Sequence, residues 1–253
     1  MSRLVLAFDT ATEQVALALG SRDGDRVTTL LGRDFPAPRA ALGVLLPTVG
    51  ELLANAGMTI SALTEIVVGR GPGSFTGVRI GVATAKGLAH GAGLPLYGVS
   101  TLDALAWRFR DHDGLLGVVG DAMRGEVYPA LYRIACGYVE RLTPEAVAPP
   151  ERIAQEWAAL DEPLLIAGNG LVKYADRFGE VGRLAPPESW SVTGEGLLAA
   201  YAAHLVSGHA GSGDPGALLP IYTRLSDAEE NERTRAVGSD LPDSGVAGPG
   251  GGS

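Results

Sequence analysis

Short apolar runs separated by turn residues open the chain. Leu4 to Phe8, Val15 to Leu19 and Val27 to Leu31 each have the length and composition of a β-strand. Leu42, Leu45, Leu46, Val49, Leu52 and Leu53 then recur at helical spacing, which predicts an amphipathic helix over Leu42 to Asn55. Pro47 lies inside that pattern, so the helix is expected to kink or to start later. Glu65 to Val68 reads as a strand, Thr76 to His90 as a helix and Leu94 to Val99 as a further strand. The predicted order is βββαβαβ.

The same plan restarts in the second half. Leu115 to Gly120 and Val127 to Ile134 are strand-like, Val139 to Leu142 supplies a third run, and Glu151 to Leu160 is helical. Leu164 to Ala167 is another strand and Gly194 to Val206 a helix. Asp9 ends the first strand six residues before Val15, and Asp121 ends its counterpart six residues before Val127. Shared spacing and strand order point to an internal repeat. The fold inferred is α/β, two ribonuclease-H-like lobes in tandem, the architecture of actin, sugar kinases and Hsp70 (ASKHA). The expected division is 1–105 for the first lobe and 106–225 for the second, with the boundary near Ser100 to Asp113. Residues 226–253 are rich in Asp, Glu, Gly and Pro without an apolar period, which predicts a disordered acidic tail, with a short helical extension conceivable around Asp227 to Arg235.

Between the strand at Glu65 and the following helix, glycines at 69, 71 and 73 with Pro72 make a turn that ordinary side chains could not follow. Ser74 or Thr76 is placed to cap the helix. Gly77, Gly81, Ala85 and Ala89 recur every four residues, a face narrow enough for another helix to approach closely. Two readings compete. Free N–H groups at the helix start, with Arg70, Arg79 and Lys86 nearby, could cradle phosphate. The spacing matches neither the P-loop nor the dinucleotide-binding pattern, however, and a tight packing corner explains the same glycines.

The whole string RGPGSFTGVRIGVATAKGLA, followed by LPLYGVSTLDALA, resembles the signature of the bacterial TsaB family, also called YeaZ. LAFDTATEQVALAL at Leu6 to Leu19, DAMRGEVYPALY at Asp121 to Tyr132 and LPIYTR at Leu219 to Arg224 extend the resemblance over most of the chain. It implies a non-catalytic scaffold subunit of the complex that adds threonylcarbamoyl to the adenosine beside the anticodon in tRNAs reading codons that begin with A. It implies a TsaD-like catalytic paralogue as partner, a TsaE-like ATPase docking on the assembled pair, and a homodimer through the same face when the chain is alone. The interface expected on the two first-lobe helices and the glycine corner comprises Leu45, Val49, Leu52, Gly71, Pro72, Gly73, Ser74, Phe75, Thr76, Gly77, Arg79, Gly81 and Ala85. No cofactor of its own is implied; ATP is used by the complex, and a nucleotide at the subunit junction stays open. One departure stands out: Ala41 takes the place of a histidine in many relatives.

Composition narrows the classes. At 253 residues and 46% hydrophobic, the chain can bury a substantial core. Its single cysteine, Cys136, allows no intramolecular disulfide and no thiolate metal cluster, which fits a reducing cytoplasm. No apolar run approaches the roughly 18 residues of a membrane helix, and no signal-like start is present, so no membrane role is expected. Formal charge is −9. Lysine and arginine supply most non-specific affinity for nucleic acid, so tRNA is expected to be met only through the complex.

The rival is a stand-alone ATP-dependent kinase or hydrolase of the actin-like superfamily. Asp9 and Thr10 in the first hairpin, Asp121 in the second, and the turn at Gly168 and Asn169 stand where such proteins hold nucleotide, and form a candidate vestigial site. Yet the hairpin Asp9-Thr10-Ala11-Thr12-Glu13 lacks the glycine that lets backbone approach phosphate, and Glu13 has the wrong charge. Both aspartates could instead cap their hairpins through backbone N–H bonds. Metal and peptidase chemistry find no pattern: the four histidines show no i,i+4 pair, and Ser74 and Ser100 have no evident His or acid partner. Tyr128, Tyr132, Trp157 and Trp190 are scattered without interleaved lysines, as packing residues are.

Overall fold

Residues 2–223 are described in the computed structural model, and every helix and strand named below lies within the compact unit Met1–Ile221. The first sheet begins as a hairpin. β1 (Arg3–Asp9) pairs antiparallel with β2 (Gln14–Asp23), which pairs in turn with β3 (Arg26–Gly32) and with the two-residue β4 (Phe35–Pro36). β5 (Glu65–Gly69) and β6 (Leu96–Val99) add in parallel beyond β1, giving the order β3-β2-β1-β5-β6. The second sheet repeats this pattern. β7 (Gly114–Asp121), β8 (Val127–Ala135) and β9 (Tyr138–Arg141) pair antiparallel, while β10 (Leu164–Ala167) and β11 (Arg183–Leu184) add in parallel beyond β7.

Strand alternation sends successive side chains of β1 to opposite faces. Leu4, Leu6 and Phe8 share a core with Leu45, Val49 and Leu52 of α1 (Ala41–Asn55) and with Val78, Val82 and Ala85 of α2 (Phe75–Ala92). In the second sheet, Leu116 and Val118 meet Leu102 and Leu105 of α3 (Thr101–Trp107). Leu115 and Val119 point the other way, towards Ile153 and Trp157 of α4 (Pro150–Ala158) and Phe178 of α5 (Leu171–Gly179). Burying each such large side chain contributes about 1.5–3 kcal/mol.

The second face of the first sheet is covered by the end of the chain. Val5 and Ala7 pack against Leu197, Leu198 and Tyr201 of α6 (Gly194–Val206). That helix was read from the sequence with the second half; its apolar residues instead close the first sheet. Glu65, fully buried at the start of β5, fixes the arrangement: its Oε2 accepts from Arg22 Nη1 at 2.7 Å and from the Tyr201 hydroxyl at 3.0 Å. α3 lies between the two sheets. Leu102 and Leu105 serve the second core, Ala104 joins the core beneath α6, and a Cβ on Gly196 would sit 2.2 Å from the Ala104 carbonyl.

Other departures have local causes. α1 starts at Ala41, ahead of Pro47, so the proline sits inside the helix and the later start is not observed. α2 begins one residue earlier than expected, capped by Ser74, and ends at Gly93 in the left-handed region, φ 66°. α3 was not anticipated because nearly all of its seven residues are buried, which removes the amphipathic period. α5 and β11 were likewise unread. No helix among the described residues is long and apolar enough to cross a membrane. Arg224 and the tail expected over 226–253, including Asp227 to Arg235, lie outside the described residues.

Candidate functional site

The glycine corner takes its shape from the hairpin it touches. A Cβ on Gly73 would lie 2.3 Å from the Ala11 carbonyl oxygen, one on Gly77 2.1 Å from that of Thr10, and one on Gly69 1.7 Å from Asp9 Oδ2. Hydrogen bonds fill these approaches. The Ser74 N–H donates to the Ala11 carbonyl at 2.7 Å, the Thr10 hydroxyl donates to the Gly77 carbonyl at 2.7 Å, and Ser74 Oγ accepts from the Gly77 N–H at 3.4 Å. The N–H groups of Ser74 and Gly77 are thereby engaged within the chain, which favours the packing corner over the phosphate cradle.

Both strand-end aspartates are also engaged. Asp9 is wholly buried; its Oδ1 accepts from the Ala11 N–H at 2.6 Å and its Oδ2 from the Thr101 hydroxyl at 2.5 Å. Burial pushes its carboxyl above the ordinary value, against the pull of those two bonds. Asp121 repeats the hairpin bond, accepting from the Met123 N–H at 3.0 Å, and its Oδ2 accepts from Lys173 Nζ at 2.6 Å. Lys173 on α5 was missed by sequence reading, and nothing in its spacing would have found it. Asn169 Oδ1 accepts from the Asp121 N–H at 3.0 Å, and Gly168, at φ 122°, lets its turn lie against Val119.

The structure therefore sets the candidate nucleotide residues around one narrow cleft, with Asp121 and Asn169 on its wall and Asp9 and Thr10 turned away from it. Thr10 faces α2 and Asp9 is closed off by α3, while Thr12, Pro72, Gly73, Asp121, Asn169 and Trp190 line the space that remains. That space is about 10 Å³. One water needs roughly that much, whereas ligand pockets start near 300 Å³. Among the described residues no group of three or more His, Cys, Asp or Glu side chains could hold a metal ion.

The expected interface divides in two. Leu45, Val49, Leu52, Gly77, Gly81 and Ala85 are buried against β1, β2 and β5 of this chain; Gly81 approaches Thr10 Oγ1 and Ala85 is fully buried in the first core. This corrects the expectation of an open small-residue face: the row is narrow so that α2 can seat on its own sheet. Gly71 and Pro72 are buried as well, and Gly73 is half-buried. Ser74, Phe75, Thr76 and Arg79 are exposed, with the Arg79 guanidinium 3.8 Å above the Phe75 ring. On α1, Leu42 is 73% exposed and Leu46 50%. These two leucines were not singled out. The signal was present, since α1 carries more apolar residues than its sheet-facing stripe can bury.

Comparison with known proteins adds to this geometry. Residues 37–197 match a family model described as TsaD, tRNA N6-adenosine threonylcarbamoyltransferase. The chain is 38% identical over 182 residues to the Escherichia coli K12 tRNA threonylcarbamoyladenosine biosynthesis protein TsaB, covering 70% of this chain and 76% of that one. It is 30% identical over 240 residues to the Bacillus subtilis protein of the same name, covering 89% and 96%. Among solved structures, YeaZ from Pseudomonas aeruginosa superposes with a TM-score of 0.72 at 33% identity, covering 87% of this chain and 99% of that chain.

Proposed function

The chain belongs to the TsaB family of tRNA threonylcarbamoyladenosine biosynthesis proteins, and from that membership we propose that it is a non-catalytic scaffold and activating subunit. Its partner on this reading is a TsaD-like paralogue that carries the transfer of threonylcarbamoyl to tRNA, with a TsaE-like ATPase joining the pair. The complex works in the cytoplasm, and the isolated chain pairs with a second copy through the same surface.

The observation that carries the proposal is the exposed apolar surface of Leu42, Leu46 and Phe75 on two adjacent first-lobe helices, at 73%, 50% and 40% exposure. Large apolar side chains left in water favour burial against a partner. Further support comes from the two sheets, which share one strand order, as two repeated lobes would. In an actin-like enzyme the strand-end acids serve nucleotide and metal; here Thr101, the Ala11 and Met123 N–H groups and Lys173 occupy them.

Mixing the purified chain with a TsaD-like protein tests the proposal. A stable heterodimer that modifies tRNA, and that is lost with Leu42→Arg and Leu46→Arg together, supports it. Micromolar ATP binding with turnover by the isolated chain, read by calorimetry and phosphate release, would establish the rival kinase or hydrolase.

A further inference from the structure

A second cavity, far larger than the interlobe cleft, opens where the segment after α6 folds back along edge strand β6. It is a half-open groove of about 190 Å³, with His209, Gly211, Ser212 and Asp214 on its exposed rim. A cavity of roughly 150 Å³ accommodates benzene, so this one suits a small molecule. Arg70, His209, Ser212 and Asp214 supply its polar wall, and Leu96 and Leu218 its apolar wall.

The cavity is built rather than incidental. Gly208, Gly211 and Gly213 have φ of 73°, 84° and 75°, a conformation that glycine adopts without strain. The Gly213 carbonyl accepts from the Leu96 N–H at 2.9 Å, so the loop is pinned to β6. Arg70 is held at its base. Its N–H donates to the Val99 carbonyl at 2.9 Å, its carbonyl accepts from the Ile221 N–H at 2.7 Å, and its Cδ lies 2.8 Å from where a Cβ on Gly98 would stand.

The head of Arg70 is left unneutralised. Among the described residues no carboxylate forms an ion pair with it; Nη1 makes one long bond, 3.4 Å, to the Leu219 carbonyl, and Nε is buried without a partner. Asp214 shares the wall, but its Oδ1 accepts from the Gly216 N–H at 2.8 Å within its own turn. A second basic side chain, His209, adds to the wall. Burial lowers the pKa of nearby His204; Asp103 pulls it the other way, and the Arg70 guanidinium beside it lowers it further.

We infer that this cavity binds a small organic anion, a carboxylate or a phosphate monoester, with its charged group on Arg70 and His209 and its carbon body on Leu96 and Leu218. A guanidinium fork beside an apolar wall recognises that combination.

The experiment is a titration of the isotopically labelled full chain, followed by NMR, with isobutyrate in one arm and inorganic phosphate in the other. Saturable shifts of the Gly211 and Gly213 amides, weakened about tenfold or more by Arg70→Met, are expected. Saturation by isobutyrate alone assigns a carboxylate, and by phosphate alone a phosphate monoester. His209→Ala alters an exposed side chain and carries the same test should Arg70→Met fail to fold. Absence of saturable shifts in both arms, or binding unchanged by both substitutions, overturns the inference.

Discussion

The Thr101 hydroxyl donates a 2.5 Å hydrogen bond to Oδ2 of Asp9, across 92 residues of sequence. Thr101 also accepts from the Gly71 N–H at 3.2 Å, and its own N–H donates to the Gly71 carbonyl at 2.8 Å. One threonine at the start of α3 thus joins the end of β1 to the glycine corner. Both oxygens of the buried Asp9 carboxylate accept bonds from within the chain.

Asp9→Asn and Asp121→Asn are expected to leave tRNA modification by the reconstituted complex within about tenfold of wild type, whereas loss of a catalytic acid costs on the order of hundreds-fold or more. A loss of that larger size in a variant that folds and binds its partner refutes the non-catalytic assignment.

Asp9 also predicts a pH dependence. Its folded-state pKa is raised by burial above the ordinary 3.8, so below that value the group is protonated in both states and carries no ionisation cost. As pH rises, the unfolded chain releases the proton first, and stability falls until the folded pKa is passed. Chemical denaturation from pH 3 upward should therefore show Asp9→Asn gaining on wild type with rising pH. A difference that is flat, or that slopes the other way, contradicts the assigned environment.

Substitutions on α1 and α2 separate surface from core. Leu42→Arg with Leu46→Arg should weaken heterodimerisation by about two decades or more, with the melting temperature nearly unchanged. Ala85→Arg should instead prevent stable folding, because it forces a charge and a long side chain into a fully buried position. An Ala85→Arg chain that melts like wild type shows α2 seated differently on its sheet.

The Glu65 cluster should dominate the anchoring of α6. Arg22 is 14% exposed and lies 2.7 Å from the buried carboxylate, whereas Arg3 is 55% exposed and 4.0 Å away. Removing one partner of a buried pair typically costs about 3–5 kcal/mol and loss of an exposed one under about 1 kcal/mol. Urea unfolding of Arg22→Ala and Arg3→Ala should show that ordering, and equal effects refute it.

With a formal charge of −9, the isolated chain should show no specific tRNA binding at physiological salt. Filter binding across a salt series checks this. Submicromolar affinity that resists salt means the chain carries its own RNA surface.

Apolar runs and glycine spacing make the strands from β1 to β10, except the two-residue β4, and the helices α1, α2, α4 and α6 legible in the sequence, because period and turn chemistry are local properties. The repeat was legible too, through Asp9 and Asp121. α3 was hidden because a helix buried on nearly every side has no polar face to reveal its period. The row Gly77, Gly81, Ala85 reads as a face for another helix, but a row of small residues does not say which surface it meets. Only the folded chain shows that Thr10 and the first sheet fill it, leaving Leu42 and Leu46 outside. The sequence by itself determined most of the strands, the helices α1, α2, α4 and α6, and that this chain belongs with the TsaB proteins. The tertiary structure decided where α6 lies, what occupies the two aspartates and which apolar residues remain in water, since each depends on contacts between residues far apart in the chain.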